Sequence, residues 1–434
     1  MAKSKNPGSG SLVFTTLGGA PALTKEQMLD QARELKRSLS ERDGGAKPDP
    51  IDTADRQHVF DALLLIGGSR GAAGLCLFLQ AAKQLKANGK PFHPVDVTQH
   101  LQALLRAGQV NQPGTGRGYA LDLAAHAERL QALLLRPEAK RYWRLFAWVL
   151  GGGHGEVDRP LGWISFRGAD DMVILLRLLA FGGLPLAEFE RLLDGALLEL
   201  RSEGLLFEAL LQPWLPEAVL AMAPPLRQAL LSQLIEIAPP GVAETQRLHE
   251  WLLQRFELAP AELSPLLRSR LAEAALHALQ LDRVDALLAG LQGASLPIFD
   301  AARLALKGDW AGAAQAYEAA LKPLRQATGV RRGVLGSDHG RLYVLSLLAQ
   351  DQPQAWETAR KFCIAESGTR KPSAHEWWGL WAHVIGSRLG DDSLDESALA
   401  YVPGLEAREH ALGLAANRLL LAAWLGRPAP GWTA

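Results

Sequence analysis

Side chains with the spacing of a catalytic or metal site are scarce in this chain of 434 residues. His375 and Glu376 begin a pattern like that of zinc proteases, but the next histidine, His383, comes eight residues after His375. Two zinc-binding histidines on one helix face lie four residues apart, so this pattern does not close a metal site. No Ser–His–Asp, Cys–His or paired-carboxylate arrangement has a supporting spacing. We therefore predict a protein that is not an enzyme and has no metal or cofactor; a deep pocket with convergent polar groups would revive the enzyme alternative.

A glycine-rich segment, GGSRGAAG from Gly67 to Gly74, could be taken for a phosphate-binding loop. It lacks the Lys-Ser/Thr pair of a Walker loop, and it follows a predicted helix instead of a strand. Without that strand context, its backbone amides are not aimed at a phosphate. No Gly-Lys-Ser/Thr sequence occurs elsewhere in the chain.

The most site-like polar cluster lies between residues 331 and 341. It combines cations with Asp338, and we predict that it can bind an anion or an acidic partner through Arg331, Arg332, His339 and Arg341. The alternative, which we favour, is a solvated loop between two helices.

Composition indicates a helical protein with a substantial core. Hydrophobic residues make up 48% and charged residues 21%, and Leu and Ala are far more frequent than Val, Ile and Thr. No apolar run reaches the roughly 18–20 residues that span a bilayer, so we predict no membrane partner. The first residues, MAKSKNPGSGS, lack an apolar signal core, so we expect a cytoplasmic location. Cys76 and Cys363 are predicted to be buried free thiols.

The charge is zero overall but uneven along the chain. Residues 1–150 carry 20 Lys and Arg against 13 Asp and Glu, a net charge of +7, while residues 151–434 carry 26 against 33, a net charge of −7. A basic front half is typical of nucleic-acid binders, although a charge of this size is also compatible with ordinary solvated surface.

The first half contains the outline of a winged helix-turn-helix. Three helices are predicted, over about Thr53–Ile66, Ala72–Ala87 and Pro94–Ala107. Two short β-like pieces, Gln109–Gln112 and Gly118–Leu121, then flank the turn from Pro113 to Arg117.

In that outline the third helix faces DNA. The candidate nucleic-acid contacts on it and on the wing are His93, Gln99, Gln102, Arg106 and Arg117, because Gln and Arg suit base edges and phosphates. The alternative is a winged helix that serves only for packing or protein contact.

A second candidate nucleic-acid surface follows, in residues 122–150, which we predict to be one continuing helix. Its basic residues are Arg136, Lys140, Arg141 and Arg144. Because Tyr142 and Trp143 lie between them, the stretch could track a nucleic-acid strand. We favour the alternative of an amphipathic helix whose basic side chains extend over buried Trp143, Phe146 and Trp148.

The rest of the chain has the pattern of a helical repeat array. From Asp170 to Leu291, short Leu-rich helices are punctuated by Pro and Gly without a strict period. A later segment then has the spacing of a tetratricopeptide (TPR) hairpin at Gly308, Trp310, Ala313, Tyr317, Ala320 and Leu321. The small Ala313 lets the partner helix approach closely, and such a hairpin needs stacked neighbours. The tryptophans Trp377, Trp378 and Trp381 are predicted to be core.

The predicted fold class is therefore mainly α, with a winged-helix-like unit followed by a TPR-like or degenerate helical repeat array. We divide the chain into an extension and linker (1–50), a winged-helix-like domain (51–150), a Leu-rich hairpin region (160–293) and TPR-like repeats (294–434).

This order of parts, together with the segment LALKGDWAGAAQAYEAALKPLRQATGVRRGVLG, resembles the N-terminal half of large bacterial Swi/Snf-type helicase-like ATPases. The motor itself is absent, since the chain has neither a Walker lysine nor a DEAH-like box. The resemblance implies an accessory region that engages double-stranded DNA, or that docks a helicase-like motor in cis or another protein. Because the chain ends on RPAPGWTA, we expect it to be the front part of a longer protein. The alternative function is a pure protein-interaction scaffold with a TPR-like concave surface.

Overall fold

A computed structural model describes residues 53–68, 70–112, 118–157, 164–195, 197–239, 242–293, 296–329, 335–368, 373, 376–390 and 410–424. These residues form nineteen α-helices and no strand longer than an isolated bridge, which confirms the mainly α fold class. Several sequence predictions fall outside the described residues: the extension 1–50, Arg117, Arg331, Arg332 and His375.

Three helices and one antiparallel pair form the first unit: α1 (Ala54–Ile66), α2 (Gly71–Ala81) and α3 (Pro94–Arg106), followed by the pairing of Asn111 with Ala120. Thr53 caps α1, because its hydroxyl accepts the Arg56 amide at 3.2 Å. Proline begins α3, where its missing N–H costs nothing. These elements match the predicted outline, whereas a winged-helix classification stays a prediction.

Helix α2 is shorter than predicted, because it ends at Ala81 and not at Ala87. Lys83 takes a left-handed conformation (φ 56°) that turns the chain back, and Leu85 then pairs with Pro91. The Asn88-Gly89 signal belongs to this tight turn and not to the end of the helix.

Residues 122–150 form two helices, so the prediction of one helix is wrong. Helix α4 (Ala127–Leu134) ends before Pro137, and α5 (Ala139–Leu150) begins after it. Proline cannot donate an amide hydrogen bond, and it disfavours the α conformation of the residue before it.

The Leu-rich region consists of short helices, as predicted. They are α6 (Ala169–Ala180), α7 (Leu186–Asp194), α8 (Glu203–Leu211), α9 (Pro216–Ala221), α10 (Pro224–Ile237), α11 (Ala243–Leu258), α12 (Pro265–His277) and α13 (Leu281–Leu288). Helices α9, α10 and α12 each begin at a proline. Proline favours the first position of a helix, and this explains why new helices begin so often in this region. The buried Arg177 joins α6 to the end of α8 by donating to the carbonyls of Ala209 (3.0 Å) and Gln212 (2.6 Å).

The glycine-rich loop has a structural role at the junction with this region. Arg70 pairs with the fully buried Asp171 at 2.7 Å and also donates to the Ser165 carbonyl, which ties the start of α2 to α6. At Gly68, a Cβ would lie 2.0 Å from the Tyr119 carbonyl oxygen, so only glycine fits this approach. The loop therefore serves packing between elements.

The last region contains α14 (Leu296–Leu306), α15 (Trp310–Thr328), α16 (Gly336–Leu348), α17 (Pro353–Glu366), α18 (Trp377–Leu389) and α19 (Ala411–Trp424). The predicted hairpin forms from α14 and α15, which pack against each other. Asp309 caps α15 by accepting the Gly312 amide at 3.0 Å, and Ala313 and Tyr317 are fully buried. Trp381 is fully buried and donates to Asn417 at 2.8 Å, as expected of a core residue.

No single helix among the described residues is long and apolar enough to cross a membrane. The pair α1 and α2 meets the length and composition criterion only when taken together, across a bend of 102°.

Close packing of α14 on α15 predicts that Ala313→Leu destabilises the fold by about 1–3 kcal/mol, since Ala313 is fully buried at this contact. Ala319 is exposed on the same helix, so Ala319→Leu should stay within about 0.5 kcal/mol of the parent chain. Urea denaturation of the three proteins checks this. Equal midpoints for both variants would show that Ala313 is not at a tight contact.

Candidate functional site

The outer face of α3 groups Gln99, Gln102 and Arg106 around the 67% exposed Val95, whereas His93 is the N-cap residue and lies in line with the buried face. His93, Gln99, Gln102 and Arg106 are all exposed. The opposite face is apolar and buried, with Val97 and Leu101 at 0% and Leu104 at 1% exposure. The 3.6-residue period of the helix separates the two faces, so Gln99, Gln102 and Arg106 point away from the core.

The charge on this face is small. Lys86 is bound to Asp96 at 2.8 Å, and this hydrogen bond lowers the pKa of Asp96 below its usual value. Burial lowers the pKa of the half-buried His100, so that ring is neutral near pH 7. The exposed stripe therefore offers hydrogen-bond donors and acceptors with one guanidinium, which suits base edges more than a row of phosphates. Arg117, at the tip of the predicted wing, lies outside the described residues.

Helix α5 separates its basic residues from its aromatic ones. Arg136, at the end of α4, and Lys140, Arg141 and Arg144 on α5 are exposed. Tyr142 and Trp143 are buried at 8% and 5% exposure, so the helix has the amphipathic arrangement that we favoured, with its aromatic side chains in the core. What remains on the surface is a basic strip beside a buried aromatic core.

The polar cluster around Asp338 is not in a loop. Asp338, His339 and Arg341 belong to α16 and are 5%, 1% and 5% exposed, so both the solvated loop and a partner-binding surface at His339 and Arg341 are wrong for this structure. The local sequence is polar enough to suggest solvent, but packing against α12 and α19 covers it.

Two histidines distant in sequence converge on one oxygen of Asp338. The Nε2 atom of His277 lies 3.0 Å from Oδ2, and the Nε2 atom of His410 lies 2.9 Å from the same oxygen. The Nη1 atom of Arg341 lies 3.4 Å from Oδ1, and its guanidinium stands 5.5 Å from the centre of the Trp377 ring. We call these four side chains the Asp338 cluster: His277, Asp338, Arg341 and His410.

Charge in the cluster follows from its geometry. Burial alone raises the pKa of Asp338, but the close contact with His277 and the hydrogen bond with His410 outweigh it and hold the pKa well below its usual range. Burial also lowers the pKa of His277, while the contact with the Asp338 carboxylate raises it to a net value above that of free histidine. His277 ends α12 and Asp338 lies in the first turn of α16, so both helix dipoles favour the charged pair.

The cluster was tested as a metal site, because two histidines and a carboxylate are zinc-type ligands and their ligand atoms lie within 4.8 Å of one another. The two imidazole rings are parallel to within 3°, with centroids 4.2 Å apart. A metal must lie near the plane of each ligating ring at about 2.0–2.1 Å, which is not achievable for two stacked rings about 3.5 Å apart.

The tautomer of His410 is a second argument against a metal at this cluster. The Gly413 amide donates to His410 Nδ1 at 3.2 Å, which assigns the proton of the neutral ring to Nε2, facing Asp338. The residues therefore do not fit a metal as arranged, and the cluster joins α12, α16 and α19 through the His277–Asp338 ion pair and the His410–Asp338 hydrogen bond.

His339 takes part in a separate buried contact. The hydroxyl of Tyr317 lies 3.3 Å from its Nδ1, and Phe299 packs edge-on against the ring at 5.2 Å. Burial lowers the pKa of His339, so it is neutral here and contributes packing in place of the predicted charge.

Sequence reasoning did not single out His277 or His410. The partners Asp338 and His410 are 72 residues apart, and no local pattern links a helix end to a helix start across that distance. Only Asp338 could be found from the sequence, because it lies in a local cluster of polar residues with His339 and Arg341.

Comparison with known proteins found no match: no family model matches the chain, and neither does a curated protein or a solved structure. The resemblance to helicase-like ATPases therefore stays a prediction, and the interpretation depends on the geometry above.

The raised pKa of His277 predicts that stability falls as the pH rises above about 6.5. The folded state keeps a proton on His277 that the unfolded state releases, so stabilisation is complete below the unfolded pKa and lost above the folded one. Urea midpoints between about pH 6 and 9 should decline for the parent chain and stay nearly level for His277→Gln. The same decline in both proteins would show that another group is responsible. His339 and His249 do not titrate in this range, because burial lowers the pKa of each ring and keeps it neutral.

Removing the charge of Asp338 should be costly. Asp338→Asn leaves Arg341 buried without its carboxylate, and breaking a buried pair costs about 3–5 kcal/mol. Asp300→Asn, which breaks a surface pair with Arg303, is the matched control and should cost less than about 1 kcal/mol. A loss as small for Asp338→Asn as for the control, in urea denaturation, would contradict the role given to the cluster.

Proposed function

We propose that the chain is a non-enzymatic module that contacts double-stranded DNA through the outer face of α3. The observation that carries the proposal is the exposure of Gln99, Gln102 and Arg106 on one side of a helix whose opposite, apolar side is buried, with His93 exposed at its N-cap.

Three features support DNA as the partner. An α-helix fits the major groove, and glutamine and arginine pair with adenine and guanine edges there. The paired residues Asn111 and Ala120 enclose the segment 113–117 in the sequence, and its two glycines are of the kind that let a chain lie close to a phosphate backbone. The front half of the chain carries the excess of positive charge.

The basic strip of α5 is a second electrostatic surface within the same proposal. Lys140, Arg141 and Arg144 are exposed and can attract phosphates without reading sequence. In the proposed arrangement α3 sets the specificity of binding and this strip adds salt-dependent affinity.

The resemblance stated above extends the proposal to a biological setting. A module of this kind would serve as the accessory region of a helicase-like DNA-remodelling protein, with the motor in cis or on another chain. No catalytic residue is assigned, and the helical array would hold the DNA-contacting unit and dock the motor.

A second candidate function is a protein-interaction scaffold. Leu258 and Leu266 are 70% and 59% exposed and flank the short 3₁₀ turn Pro260–Glu262. Large apolar side chains that stay exposed are more frequent on protein docking surfaces than elsewhere on a surface.

Fluorescence anisotropy with labelled duplex DNA at about 50 and 200 mM salt tests the proposal on the full chain. We expect binding that weakens steeply with salt. For Gln102→Ala/Arg106→Ala we expect a further loss of about 1–3 kcal/mol in binding and a salt slope shallower by about 1.

Lys322→Ala is the control, since this exposed lysine lies on α15, outside the first unit, and its loss should leave binding unchanged. Binding that survives the α3 variant but is lost in Lys140→Ala/Arg144→Ala would move the DNA surface to α5. An absence of binding at the lower salt would overturn the DNA proposal and favour the scaffold.

A further inference from the structure

A cavity of about 200 Å³ lies among five helices of the last region. Its walls come from α15 to α19, and the residues that matter for its chemistry are Trp310, Leu348, Trp356, Ile385, Arg388 and Leu420. It is remote in the chain from α3 and α5, and the DNA proposal makes no use of it.

The floor of the cavity is apolar and buried. Ile385 and Leu420 are 1% and 2% exposed, so they belong to the core of the region. The Trp356 indole is anchored, because its Nε1 donates to the Leu348 carbonyl at 3.0 Å. An apolar group that entered would meet preformed walls, as ligand sites usually offer.

The rim supplies one charge. The guanidinium carbon of Arg388 stands 5.1 Å from the centre of the Trp356 ring, which holds the side chain over the mouth of the cavity. Among the described residues no carboxylate pairs with Arg388. An anionic group on a bound molecule would therefore find an available cation beside the apolar walls.

We propose that this cavity binds a small monocarboxylic acid with an apolar body about the size of a phenyl ring, with the carboxylate facing Arg388. An engineered cavity of about 150 Å³ holds benzene, so about 200 Å³ accommodates a ring with a short side arm. Sugars and nucleotides suit it poorly, because such ligands require several polar partners and the Trp356 N–H is already donated to the backbone.

The exposure of Arg388 determines how much its ion pair with the carboxylate contributes to binding, compared with the apolar walls. Arg388 is exposed, so its pairing with a carboxylate is screened by solvent and contributes selectivity more than affinity. The apolar walls provide most of the binding, in proportion to the area of the ligand removed from water.

Isothermal titration calorimetry of the full chain with phenylacetate, 2-phenylethanol and acetate tests the proposal. We expect saturable binding of phenylacetate, weaker binding of the neutral alcohol by about two- to fivefold at low salt, and none of acetate. Arg388→Gln should bind the acid and the alcohol equally. Arg325→Gln, which removes an exposed cation from α15, should keep the difference.

A filling variant locates the site. Ala349 lines the cavity and is exposed, so Ala349→Leu should fold normally and block the mouth, whereas Ala319→Leu should not affect binding. No saturable heat with phenylacetate in the parent chain, equal affinity for acid and alcohol, or unchanged binding in Ala349→Leu would each overturn the proposal.

Discussion

A buried carboxylate is the constraint on which the second half of this molecule depends. Asp338 is held by His277 from α12, by His410 from the start of α19 and by Arg341 from its own helix. An ionised carboxylate in an apolar interior is unfavourable unless such partners surround it, so the three helices are placed together or not at all. The cluster thereby joins the Leu-rich hairpins to the last helices across a long stretch of chain.

The same use of polar groups recurs through the core. Arg70 with Asp171 ties the first unit to the second, Arg177 closes α6 on α8, and Trp381 binds Asn417 between α18 and α19. Each of these contacts lies inside the fold, where it positions helices. The described residues that our proposals assign to other molecules are the exposed stripe on α3, the basic strip on α5 and the apolar cavity beside Arg388.

Sequence periodicity predicted most of the helices and the face each one buries. The α14–α15 hairpin follows the pattern from Asp309 to Tyr317, and the polar face of α3 lies where its spacing indicated. The helix boundaries that were predicted wrongly lie where one local sequence signal is compatible with two structures. Asn88-Gly89 marks a tight turn instead of a helix end, and Pro137 divides what hydrophobic periodicity alone presents as one helix.

The sequence by itself determined the mainly α fold, the helix faces and the absence of known nucleotide or zinc motifs, because these depend on neighbours within a turn or two of helix. Only the tertiary structure decided what Asp338, His339 and Arg341 do, since their partners come from helices far along the chain. A run of polar residues has the same local sequence pattern whether it is exposed to solvent or buried in a core. Which of the two applies is set by the helices that pack over it, and that packing is a property of the whole fold.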